Sequence, residues 1–291
     1  MTVQRTGCES LPAGETRRRI VDTAVQEWAF FGFSTVEPGD EDFDIFDGRY
    51  SLLRPEDSVR VASSIAGYWA VTPQGFEIVA GQNRVWNGPE GIGARWVTPW
   101  SAAFVSWIMC ESGLGSSEQF QRAIAHHVYI DQGIRARDGG APQAAFAAYD
   151  PGNAEIEPGD LVCSSRRPAY RNLAERRRQM GVGARTHCDV VIKVDEPGKR
   201  IFAIGGNVRR SVVMKQLPAF REPGRHLHPL NQTVRGEVRP MFAHLKLRAK
   251  SIEANAIDNT PTIKALACRK GFQHPVGVAD LGLAAAARQH C

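Results

Sequence analysis

Ser101 stands in "PWSAAFVSWIM", residues 99–109, where the pattern predicts the first turn of an apolar helix. A hydroxyl in that position lies among free backbone N–H groups at the positive end of the helix dipole, which favours developing negative charge. A thiolate gains most from such a place, because a thiol already titrates near neutrality. A serine needs a base to take its proton. His187 opens the apolar run "HCDVVIKV", and a histidine at a strand end can face a helix start. Asn207 follows 20 residues later and closes "IFAIGGN". On an antiparallel neighbour of the His187 strand, its amide oxygen could fix the imidazole tautomer. Asp189 is the rival for that task, since residues i and i+2 of a strand share a face. Nucleophile, base and orienting group are the three parts that nucleophilic acyl transfer requires.

Each residue also has a plainer reading. Serine is a favoured N-cap, so Ser101 could serve its helix alone. "GGN" is good turn chemistry, which is compatible with either role for Asn207. His126 and Tyr129 are three apart on a predicted helix and share a face, lining a cleft or packing on the domain. Arg166, just after "GDLVCSS", could meet an acidic substrate group or simply face solvent. Trp100 is either a cleft wall or a core aromatic. Cys110 is nine residues beyond Ser101, about two and a half helical turns, and cannot replace it. Cys188 points away from His187 and is expected to be buried and inert.

The elements that must position these residues are legible in outline. Ile20, Ala24, Trp28 and Phe31 recur at helical spacing over 15–33, with Gly32 as a stop. "EPGDEDFDIFDGRYS" reads as a loop, and "RPEDSVRVASSIAGYW" as a second helix with Pro55 in its first turn. Residues 75–99 are rich in glycine and short on periodicity, and read as one long loop, which inside a domain is usually functional or covers a cleft. The Ser101 helix runs to Gly113, and a further helix is expected over 116–136, capped by Ser116 or Ser117. Strands follow in "GDLVCSSR", "HCDVVIKVDE", "KRIFAIGGN", "SVVMKQL" and "PMFAHLKLRA". Helices first and then strands with short connections indicate an α+β class with a mainly antiparallel sheet. We divide the chain into an N-terminal segment 1–14, a domain 15–250 and a C-terminal tail 251–291 with a short helix near "GLAAAARQ".

Composition narrows the classes. The chain has 291 residues, 43% hydrophobic and 23% charged, enough for a sizeable core. The net charge of +5 is a mild excess, and no aromatic residues interleave the arginine runs, so nucleic-acid binding is disfavoured. None of the six cysteines forms a CxxC pair, and His126 with Tyr129 lacks a third ligand, so neither metal nor cofactor is expected. A chain this large does not need disulfides, and Cys110, Cys163 and Cys188 read as buried thiols. No run is long enough to span a bilayer. "MTVQRTGCES" lacks the apolar core of a secretory signal. Gly7-Cys8 would fit a lipoprotein cleavage remnant if the true start lay upstream.

"PWSAAFVSWIMCESGL", "PGDLV", "HCDVVIKV" and "IGGN" followed by "SVVM" occur in the order and approximate spacing of the CHAP- and NlpC-type cysteine peptidases and amidases. More closely, the chain resembles the bacterial family catalogued as domain of unknown function 2272, over roughly residues 15–250. The resemblance implies a papain-like fold, with Ser101 at the nucleophile position, His187 at the base and Asn207 at the orienting residue. Many such relatives cleave peptidoglycan amide bonds, which implies a peptide or peptidoglycan-like substrate and the cell envelope. The departure is that serine replaces the nucleophilic cysteine.

Two functions of different class result. One is an amide-bond hydrolase that uses Ser101, His187 and Asn207, with Trp100, His126 and Arg166 lining the substrate site. The other is a catalytically inactive papain-like module that binds a cell-wall peptide or a protein partner.

Overall fold

In the computed structural model, which describes residues 1, 7–36, 52–53, 55–234 and 237–268, helices dominate the first half and strands the second. In chain order the elements are α1 (Thr16–Phe30), β1 (Thr35–Val36), α2 (Pro55–Ala70), α3 (Gly75–Trp86), α4 (Ser101–Glu111) and α5 (His126–Arg137). Then come β2 (Phe146–Tyr149), β3 (Leu161–Arg167), α6 (Leu173–Arg177), β4 (Arg185–Asp195), β5 (Arg200–Val208) and β6 (Ser211–Phe220). The short β7 (His228–Pro229), β8 (Gln232–Val234) and β9 (Glu237–Arg239) lead to β10 (Met241–Leu247) and α7 (Pro261–Ala267). The main sheet is open and mixed, ordered β1-β6-β5-β4-β3-β10-β2 with β7 on β6, and among the described residues only β1–β6 pairs parallel. The α+β class with a mainly antiparallel sheet therefore holds.

The two faces of β4 divide the core. Cys188, Val190 and Ile192 join the main cluster with Trp28 of α1, Tyr68 of α2 and Phe104 of α4. Val191 joins a smaller cluster on the other face with Val162, Ala203 and Leu217. Arg17 fixes α1 to the sheet. It is buried, and its guanidinium donates to Pro158 O at 2.6 Å and to Asp160 Oδ1 at 2.8 Å. The other Asp160 oxygen receives His244 Nε2 at 2.8 Å, so "PGD" is a buried anchor at the mouth of β3.

Several expectations need correction. The stretch expected as a loop over 75–99 contains α3, because Val79, Gln82 and Trp86 fall on one buried helical face despite the glycines. The helix expected from Ser116 begins only at His126. Gln132 of α5 reaches back and satisfies the extended segment before it, accepting from Gln121 N at 2.7 Å and donating to Ser117 O and Glu118 O at 2.9 and 3.0 Å. The cysteines are not free thiols: Cys8 bonds Cys110, Cys163 bonds Cys188, and no described cysteine is free. The Cys8–Cys110 bridge also removes the lipoprotein reading of Cys8, whose sulfur is already used. Beyond 251, Ile257, Ile263 and Leu266 belong to the main core, and α7 packs on α1. The helix expected near "GLAAAARQ" lies outside the described residues.

Candidate active site

The site forms where two strands part. β4 and β5 pair from Asp195↔Arg200 as far as Val190↔Ile204. Past that point the Cys188 N–H is free to turn elsewhere, and it donates to Nδ1 of His126 at 3.2 Å. A buried backbone donor needs a partner, and here an imidazole from the first turn of α5 supplies it. The Tyr129 hydroxyl, three residues along the same helix, also bonds that nitrogen.

This fixes the chemistry of His126. An amide N–H can only donate, so Nδ1 must present its lone pair and the neutral ring carries its proton on Nε2. Nε2 lies 2.7 Å from Ser101 Oγ and therefore donates to it. Burial, and then the neighbouring His187, push the His126 pKa well below its ordinary value, which keeps the ring neutral. Ser101 is the first residue of α4, and its hydroxyl is committed to His126. The N-cap is Trp100, with no side-chain cap bond. The helix-cap reading of Ser101 is thereby excluded. The first N–H groups of α4 have no partner within the helix.

Behind this pair is a buried charged chain. His187 and Asp189 sit side by side on β4, with Nε2 to Oδ1 at 2.9 Å. Lys215 of β6 donates to the other Asp189 oxygen at 3.1 Å. Burial alone would raise the Asp189 carboxyl, but Lys215 and His187 together hold it far below the carboxylate range. Asp189 is thus ionised and accepts a hydrogen bond from His187 Nε2–H, so the neutral His187 ring carries its lone pair on Nδ1. Burial lowers the His187 pKa against the pull of Asp189. The His126 and His187 rings lie 5.1 Å apart, centroid to centroid.

The "IGGN" glycines allow this approach. A Cβ on Gly205 would lie 2.0 Å from Asp189 Oδ1 and 3.0 Å from His187 Nε2. A Cβ on Gly206 would lie 2.6 Å from Phe104 Cβ on the Ser101 helix. β5 can run between the acid–imidazole pair and α4 only with glycine at both positions.

The expected residues therefore separate. Ser101 and His126 are in direct contact, with His187 the next ring. Asn207 is not the orienting residue: it occupies the left-handed region (φ 57°), no hydrogen bond joins it to His187, and Asp189 holds that ring instead. Trp100 is 2% exposed among Phe31, Tyr68 and Phe104, so it is a core aromatic and cannot line a cleft. The charge of Arg166 depresses both histidines, which puts it within electrostatic reach of the site. Sequence reasoning missed Lys215 and the link from His126 to Ser101. The signal for Lys215 was a lone cation inside "SVVMKQL". Among the described residues no group of three His, Cys, Asp or Glu side chains could hold a metal ion, and no helix is long and apolar enough to cross a membrane.

A family model described as "Uncharacterized protein conserved in bacteria (DUF2272)" matches residues 59–247. No curated protein and no solved structure matches the chain.

Proposed function

The chain belongs to the bacterial DUF2272 family, and we propose that it is an amide-bond hydrolase of papain-like fold with Ser101 as nucleophile. The observation that carries this reading is the Ser101 hydroxyl at the start of α4, held at 2.7 Å by a neutral buried histidine. A donor aimed at Oγ favours the alkoxide, which supplies part of what a cysteine would have from its lower pKa.

Ser101 Oγ attacks the carbonyl carbon, and its proton passes through water to Nδ1 of His187, the ring beyond His126. Asp189 accepts from His187 Nε2–H throughout and stabilises the imidazolium. The oxyanion takes the free N–H groups of α4. On collapse the C–N bond breaks, the amine leaves with the proton from His187, and an ester on Oγ remains. Water, deprotonated by His187, then releases the acid and restores Ser101. The motif resemblance favours peptidoglycan peptides as substrate. The disulfides Cys8–Cys110 and Cys163–Cys188 favour an oxidising compartment such as the cell envelope.

A specific observation favours the second reading, a silent module that binds a peptide. Ser101 Oγ accepts from its histidine partner, and among the described residues no base takes its proton at rest. Hydrolysis of purified peptidoglycan and its stem peptides by wild type, Ser101→Ala and Ser101→Cys separates the two, together with labelling by a serine-directed fluorophosphonate. The hydrolase predicts labelling at Ser101 and turnover that Ser101→Ala abolishes. No labelling and no turnover in wild type, with peptide binding intact in Ser101→Ala, would establish the module.

A further inference from the structure

A groove of about 450 Å³ opens beside α3, lined by Ile78, Gly81, Val85, Val97, Thr98 and Ile124. Its walls are mainly apolar and open to solvent, with Val97 63%, Val85 39% and Ile124 37% exposed. Two of its wall residues lie close in the chain to the candidate site. Thr98 is three residues before Ser101 and Ile124 is two before His126, spans of at most about 11 and 7 Å of chain. The Ile124 segment is pinned to α4, because Ser106 Oγ donates to Ala123 O at 3.1 Å and accepts from Ala123 N at 3.0 Å. Gln82 in the wall is already paired, donating to Arg95 O at 2.9 Å and accepting from Val97 N at 3.0 Å, so it asks nothing of an occupant. The ionisable lining residue is Glu77, which disfavours an anion.

Gly81 gives the groove its depth. It lies in mid-α3, where glycine is disfavoured relative to alanine. A Cβ there would meet only Arg84 Nη2 at 3.6 Å, an ordinary contact, so the first atom of a larger side chain has room at this wall.

We propose that this groove is the acyl-side subsite of the Ser101 centre and takes a neutral aliphatic chain of about four to eight carbons. The proposal rests on the nucleophile reading, and the test separates the two. Hydrolysis of 4-nitrophenyl acetate, butyrate and hexanoate is measured for wild type, Ser101→Ala and Gly81→Leu. Binding of N-acetyl- and N-hexanoylglycinamide to Ser101→Ala is measured by calorimetry. The expected kcat/KM rises by about fourfold per buried methylene. Gly81→Leu brings the hexanoate-to-acetate ratio close to one and melts no lower than wild type. Ser101→Ala binds the hexanoyl amide more tightly than the acetyl amide. Equal binding of the two amides overturns the groove whatever the turnover, as does Ser101-dependent hydrolysis that ignores chain length. Chain-length-dependent binding that Gly81→Leu removes, with no Ser101-dependent hydrolysis, keeps the groove and overturns the hydrolase.

Discussion

His126 donates a hydrogen bond to Ser101, and does so because the amide of Cys188 has already claimed its other ring nitrogen. The direction of that bond sets a limit on the roles: His126 can polarise the hydroxyl but does not accept its proton, and in the proposed hydrolase that task falls to His187.

The first prediction concerns that tautomer and its pH dependence. Nitrogen-15 spectra at neutral pH should show His126 protonated on Nε2 alone. Both His126 and His187 are held below their ordinary value by burial. Above about pH 6.5 they are neutral in folded and unfolded chains alike and have no effect on stability. Below that, the unfolded chain gains protons that the folded chain refuses, so stability falls as pH falls, until the folded-state values are reached. The melting temperature should drop between pH 7.5 and 5.5, and less steeply in His126→Gln. A His126 ring protonated on Nδ1, or an unchanged slope in the variant, would contradict the assignment.

The glycine pair gives a second. Gly205→Ala puts a methyl on Asp189 Oδ1 and should displace the Asp189–His187 pair, removing activity. Gly206→Ala presses on Phe104. Each should cost about 1–3 kcal/mol, read from urea unfolding, because neither contact is the end of a flexible chain with room to retreat. Wild-type stability in both variants would mean that β5 is not confined between them.

Lys215 gives a third. Lys215→Met leaves the Asp189 carboxylate buried with half its partners and should destabilise the fold by about 3–5 kcal/mol. The charge of Lys215 also depresses His187, so the His187 pKa should rise in the variant. Adding Asp189→Asn should cost less than the sum of the two single changes. Additive costs would show the two groups to be independent.

The disulfides give a fourth. Cys8–Cys110 spans 102 residues and Cys163–Cys188 spans 25. The entropy of the loops closed predicts losses of about 5 and about 3.5 kcal/mol when each pair is replaced by serine. Denaturant unfolding of the two double variants should preserve that order, and the reverse order would mean that loop closure is not the dominant effect.

How far the sequence carries follows from which forces are local. β3, β4, β5, β6 and β10 were legible, because alternation and turn residues mark a strand without reference to its neighbours. Ser101 was legible as a candidate because it marks the start of α4, whereas His187, expected to open its strand, lies two residues inside β4. The α5 boundary was not: Ser116 looks like a cap, and its Oγ does accept from Gln119 N at 3.2 Å, but in an isolated turn. The backbone that follows is satisfied by Gln132, which no local pattern reveals. The bond from His126 to Ser101 depends on where β4 and β5 separate, and Asn207 lies beyond the last β4–β5 pair, Val190↔Ile204, which leaves Asp189 to hold the ring. Both are facts of strand pairing. The Cys163–Cys188 bridge likewise needed the register that sets the two residues opposite each other.

The packing of α1 against α4, β4 and α7 has a practical corollary. The family match begins at residue 59, after α1, and ends at 247, before α7. A fragment trimmed to those borders would leave Asp160 without Arg17 and Cys110 without Cys8, and would strip Ile20, Trp28 and Ile263 from the shared core. The borders of likeness are therefore not the borders of autonomous folding, and dissecting this protein at the former would yield an adhesive, incomplete body carrying an intact sequence motif.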